Sequence, residues 1–138
     1  MTLPAEAVTN VNLSYGRCSM SPGFFDTFYD IFLKSSPIIA PMFANTDFSK
    51  QKSLLKGGIT FVLMYAKDPA AAFPKGKLEA IGDIHNRARV NVAPNMYPFW
   101  IDSLMQAVKQ HDKDYTPELE KQWRAVIKPA IDLMVTHY

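Results

Sequence analysis

The stretch LEAIGDIHNRARVNVAP, residues 78–94, holds the side chain best suited to chemistry, His85, on the same helical face as Leu78 and Ile81. An imidazole on an apolar stripe is a ligand, a base, or a satisfied buried or capping group. The chain contains three histidines and one cysteine, Cys18. Zinc would want about three or four ligands at spacings such as HxxxH or CxxC, and His85, His111 and His137 offer neither. A hydrolytic triad needs a nucleophile with a local signature, which is missing, and Asp83 lies two positions from His85, on another part of the helix surface. A di-iron carboxylate bundle would repeat ExxH pairs, whereas Glu79, Glu118 and Glu120 read as exposed.

One histidine suffices where a cofactor brings its own metal. In haem the porphyrin supplies four nitrogens and a single imidazole the fifth ligand. His85 would then bind through Nε2, with its Nδ1–H donating to the carbonyl of Ile81 one turn back, fixing the tautomer. Arg87 and Arg89 are placed to pair with propionates, or to be ordinary surface arginines. From these residues alone, a buried or capping histidine stays open beside the ligand.

The elements that must position His85 are helical. With 138 residues, 48% of them apolar, the chain is read as one domain, 1–138, with a single core. Its net charge of +2, without a basic block, argues against a nucleic-acid partner. The apolar run ITFVLMYA, residues 59–66, is too short to span a bilayer, and no signal segment opens the chain. The expectation is a soluble cytoplasmic protein, monomeric or weakly dimeric. Cys18 is either buried or able to link two chains in oxidising buffer.

Residues 1–20 are polar and weakly periodic, fitting a short helix or an ordered arm. Ser21 as N-cap and Pro22 in the first turn open a helix with an aromatic face of Phe25, Phe28, Tyr29 and Phe32, ended or interrupted by Pro37. Thr46 or Asp47 starts the next, with Gln51, Leu54, Leu55 and Ile59 on one side. Its Gly57–Gly58 pair is either a break or, preferably, the place where another helix crosses closely. A Pro/Ala connector over 67–75 leads to helix 76–88. Pro94 begins a helix striped by Tyr97, Ile101, Leu104, Met105 and Val108. HDKDY connects it to a last helix opened by Thr116–Pro117, bent at Pro129, and facing inward through Leu119, Trp123, Val126, Ile127, Ala130 and Leu133. No strand alternation occurs, so the fold class is all-α, with five or six principal helices.

Four fragments in order resemble the bacterial single-domain globins, including forms related to the truncated haemoglobins. FFDTFYDIF resembles the second globin helix with its distal tyrosine, Tyr29. MFANTDFSKQKSLL resembles the haem-packing phenylalanine, Phe43, followed by the distal helix. AIGDIHNRARVNVAPNMYPFW resembles the proximal helix, its histidine and the aromatic start of the next helix, and WRAVIKPAIDLM the terminal helix. The resemblance covers roughly residues 20–137, with Gln51 and His85 in the family's order.

That resemblance implies a globin-like fold, with three-over-three helices favoured over a two-over-two form. It implies haem b held by His85 and O2, CO and NO as ligands. Tyr29 and Gln51 become the polar pair facing bound gas, with Leu55 over the iron and Leu54 beside it. Phe43 packs on the porphyrin, Phe48 closes one edge, and Val92, Tyr97 and Trp100 form the proximal wall. Bound dioxygen gains partial negative charge, so an O–H or amide donor in a dry pocket retains it. Tyr29 bonded to a backbone carbonyl, Gln51 facing solvent, and Lys52 or a tyrosine as an internal sixth ligand are the alternatives weighed. The expected function is reversible dioxygen binding. Nitric oxide dioxygenation with an external reductase, weak peroxidase activity, gas sensing through a partner and a haem-free helical interaction module are the others.

Overall fold

A computed structural model describes residues 3–138, and among the described residues it is helical throughout, without strands. Its helices are α1 (Ala5–Met20), α2 (Phe24–Phe32), α3 (Ile39–Met42), α4 (Phe48–Lys67), α5 (Ala72–Ile84), α6 (Tyr97–His111) and α7 (Pro117–Val135), with a 3-10 turn at Pro94–Met96. Helix α4 packs on α1 and α5, α6 packs on α1 and α2, and α7 touches α1, α4, α5 and α6. The core between them is apolar and aromatic, with Trp123, Phe24, Phe28, Ile39, Ile59, Leu78 and Leu104 fully buried.

Local chemistry explains most boundaries. The Asp47 carboxylate caps α4 by accepting from the Ser49 and Lys50 amides at 3.0 and 3.4 Å. Thr116 Oγ1 accepts from the Leu119 amide at 3.0 Å and opens α7, with Pro117 in the first turn and Glu118 and Glu120 at its positive end.

Several expectations need correction. Residues 5–20 form a full helix rather than a short helix or arm. Its polar members are partly inward: Ser14 is completely buried, so the apolar period was diluted by a residue whose partners lie far along the chain. Helix α2 is capped by Gly23, at φ 82°, and not by Ser21, whose hydroxyl is committed to His111 Nδ1 at 2.8 Å. It ends at Phe32, ahead of Pro37, and the separate short α3 follows. Helix α5 runs over 72–84 instead of 76–88, because Pro74 is tolerated in a first turn where amides have no helical acceptor.

The glycine expectation is also overturned. Helix α4 passes unbroken through Gly57–Gly58, and a Cβ at either position would meet nothing within 4 Å. The close crossing lies at Gly82 on α5, where an added Cβ would stand 3.2 Å from the backbone of Met134 and 3.1 Å from the His137 Cβ. Of the two readings of Cys18, burial holds: the thiol is fully covered and burial pushes it up to about 12.

One polar junction ties α1, α6 and α7 inside this apolar frame. The Asp112 carboxylate, buried at the end of α6, accepts from Ser14 Oγ at 2.6 Å and from Arg17 at 2.6 and 3.0 Å. Trp123 Nε1 donates to Ser14 Oγ at 2.9 Å, and the Asp114 amide takes a further carboxylate lone pair at 2.9 Å. Burial alone would raise the Asp112 carboxyl, but the Arg17 and Ser14 hydrogen bonds outweigh it and hold it below its usual range. Asp112→Asn should therefore cost about 3 kcal/mol of unfolding free energy at neutral pH. A depressed carboxyl stabilises above its unfolded pKa and loses that contribution on acidification. Urea denaturation should accordingly show the gap between wild type and variant widest above pH 3.8 and closing as pH falls through the lower native value.

Candidate functional site

His85 sits at the C-cap of α5, half-buried, at the point where the helix gives way to the 86–93 loop. Its backbone N–H donates to the Ile81 carbonyl at 3.0 Å, closing the last helical turn. The imidazole Nδ1 faces Tyr97 Oη at 3.5 Å, a long contact. The expected bond from Nδ1 to the Ile81 carbonyl is not made, because the ring turns across to Tyr97 on α6. Among the described residues, Nε2 has no hydrogen-bond partner. Burial lowers the His85 pKa and so favours the neutral imidazole, the form that offers a nitrogen lone pair to a metal. Ile81 is half-buried against the core beside it.

The 86–93 loop has a backbone pattern of its own. The Val92 amide returns to the His85 carbonyl at 2.8 Å, Val90 to Ile84 at 3.2 Å, and Asn91 to Asn86 at 2.9 Å. Asn91 takes a left-handed φ of 57°, which asparagine tolerates better than most side chains. Val92 packs against the core and Tyr97 is buried, so both stand on the His85 side of the fold, with Trp100 one turn further along α6.

Tyr29 projects from α2 into an aromatic group. Its ring meets Phe28 at 5.0 Å, Phe48 at 5.4 Å and Phe43 at 6.1 Å, edge to face in each case, while Phe43 and Phe48 stack at 6.1 Å. Burial raises the Tyr29 phenol to about 12, so it stays protonated. Its hydroxyl donates to the backbone carbonyl of Gln51 at 3.4 Å, and a hydrogen bond with the Gln51 side chain partly offsets the effect of burial on the phenol, so the two expected distal residues stand together. The Gln51 backbone N–H donates to the Asp47 carbonyl at 2.9 Å within the first turn of α4. On α4, Leu55 is buried at 8% exposure while its neighbour Leu54 faces outward at 68%. Lys52 is drawn to the surface by Asp26, at 2.8 Å.

The two arginines part company. Arg87 lays its guanidinium on the Tyr138 ring, 4.7 Å from the centroid, and Arg89 is exposed with no ion pair among the described residues. Neither the groove between α1 and the α6–α7 loop nor the one between α2 and α6 includes His85, Tyr29 or Gln51.

The donor set fits a porphyrin. It combines one half-buried imidazole, whose Nε2 has no hydrogen-bond partner among the described residues, with the aromatic group of Tyr29, Phe43 and Phe48. It fits zinc badly, for among the described residues no cluster of three metal-ligating side chains exists. Sequence reading missed Gly82, Asn91, His137 and Tyr138, which surround the His85 backbone. The glycine one turn before His85 was the only local signal.

No family model matches the chain, and no curated protein matches it. Among solved structures, a protein of Pseudomonas aeruginosa PAO1, described as structurally highly homologous to a human hemoglobin, is 42% identical. The match covers 96% of this chain and 98% of that one, with a TM-score of 0.89.

The Gly82 crossing generates a stability prediction. Gly82→Val must displace the Met134 backbone, so chemical denaturation should show a loss of about 2 kcal/mol, typical of overpacking, despite the gain from removing a helical glycine. The same substitution at Gly58, where space is open, should cost less than about 0.5 kcal/mol.

Proposed function

The chain belongs to the bacterial globin-like proteins, and from that membership we propose that it holds haem b on His85 and binds dioxygen reversibly beside Tyr29 and Gln51. The observation that carries this reading is the His85 imidazole: half-buried, approached at Nδ1 by Tyr97, free of a partner at Nε2 among the described residues, and shifted by burial towards its neutral form. Bound haem would supply an iron that, when ferrous, can take up a diatomic gas such as O2, CO or NO.

The chain's own residues do the rest. With Nε2 committed as ligand, the proton rests on Nδ1 and donates towards Tyr97 Oη, limiting rotation of the ring. Phe43, Phe48 and Leu55 present apolar surface that keeps water from the gas side. Tyr29, held as a phenol, and the Gln51 amide are the two donors there, and the long Tyr29 bond to the Gln51 carbonyl is weak enough to exchange for a better acceptor. Arg89, exposed and unpaired among the described residues, is the cation available to a propionate, whereas Arg87 is engaged with Tyr138. A cytoplasmic site of action is part of the same proposal.

Absorption spectra of the haem-reconstituted protein test it, recorded ferric, dithionite-reduced, and reduced with O2 or CO. The expected result is an intense Soret band and, on reduction, one broad visible band that splits when gas is added. His85→Ala should abolish stoichiometric haem uptake. Tyr29→Phe and Gln51→Ala should retain haem and speed dioxygen release by about tenfold, the factor carried by one hydrogen bond of about 1.4 kcal/mol. A wild-type protein without a Soret band would leave a haem-free helical module, and unchanged release rates would remove Tyr29 and Gln51 from the gas site.

A further inference from the structure

We propose that His137 and Tyr138, which follow α7, are positioning residues for His85: through side chains on either side of it and one main-chain bond at Arg87 they hold its segment and set how its imidazole is presented. The inference rests on the reading of His85 as the haem ligand.

On the helix side, His137 spans the last turn of α5. Its Nδ1 stands 2.7 Å from Asp83 Oδ1 and its Nε2 3.4 Å from Glu79 Oε2. On the loop side, the backbone oxygen of Tyr138 accepts from the Arg87 amide at 3.4 Å, and its hydroxyl donates to Asn91 Oδ1 at 2.6 Å. The Arg87 guanidinium lies on the same Tyr138 ring, 4.7 Å from its centroid. Residues 79, 83, 87 and 91 are thus all gripped by one dipeptide, with His85 midway between them.

Neither residue hydrogen-bonds the imidazole, so any effect on it runs through the backbone. That route is direct. A helix C-cap has fewer main-chain bonds than a helix interior, so its placement depends on outside partners. The ring itself has only the 3.5 Å approach to Tyr97 to orient it. Gly82 supplies the third point, seating α5 against Met134 and the His137 Cβ at 3.1–3.2 Å from where a side chain would begin. A pinned loop and a seated helix end fix where the His85 backbone stands, and with it the point from which the imidazole is presented.

The test compares haem-reconstituted wild type, the double variant His137→Ala/Tyr138→Ala, and Tyr138→Phe. Readouts are the ferrous iron–histidine stretching band by resonance Raman, haem transfer to excess apomyoglobin, and amide hydrogen exchange over 85–92 in the haem-free protein. The double variant, still unfolding cooperatively, should show a shifted and broadened iron–histidine band and haem transfer about tenfold faster. Its amides at 87 and 90–92 should exchange about fivefold faster, the effect of losing one hydrogen bond from the loop. Tyr138→Phe, which removes only the bond to Asn91, should move the band less and in the same direction. A folded double variant with wild-type band, transfer and exchange overturns the clasp. If the double variant does not fold, an unshifted band in Tyr138→Phe does so alone. Absence of a Soret band in the wild type, recorded before any variant, removes the haem reading and the positioning role with it, an outcome distinct from the others.

Discussion

The seat of α5 on α7 is the constraint from which the rest of the His85 side follows. At Gly82 the two helices come so close that a β-carbon would press on main-chain atoms of Met134. Main chain cannot yield as a flexible side chain does, so the contact fixes the height of α5 relative to α7. His85 is one turn further on, at the end of that helix, and inherits its place from the contact. The loop that follows must then leave α5 sharply enough to deliver Pro94 and Tyr97 to the next helix. The left-handed Asn91 and the amides returning to the His85 and Ile84 carbonyls make that turn.

The opposite side is organised differently. Tyr29, Phe43 and Phe48 are fixed by ring contacts, not by a close backbone approach. Edge-to-face rings tolerate small shifts, and the one hydrogen bond in the group is 3.4 Å long. One side of the candidate site is therefore anchored and the other adaptable.

Much of this was legible in the sequence wherever one face of a helix carried the signal. The aromatic stripe of α2, the inward face of α7 and the caps at Asp47 and Thr116 all follow from periodicity and from short-range hydrogen bonding. What escaped reading depended on distance along the chain. Helix α1 looked weak because Ser14 is polar, yet Ser14 is satisfied by Asp112 and Trp123, about a hundred positions away. Gly57–Gly58 and Gly82 are alike in sequence and differ only in what packs beside them. The partner of His85 Nδ1 lies across a loop, twelve positions on, and the bonds of His137 and Tyr138 leave no local trace. Pro74 misled in another way: a proline marks the first turn of a helix as readily as its end, and sequence alone does not choose.

The buried Cys18 carries a consequence for a chain read as handling oxygen. Oxidants attack the thiolate, not the thiol. With its pKa pushed up to about 12 by burial, the group stays a protonated thiol at neutral pH. Full burial also closes the route by which an oxidant or a second thiol would approach. The polypeptide therefore has no sulfhydryl poised to form mixed disulfides or sulfenic acid. Any cysteine introduced at an exposed position would be its sole fast-reacting thiol, so a spin label or fluorophore could be attached there without first removing the native one.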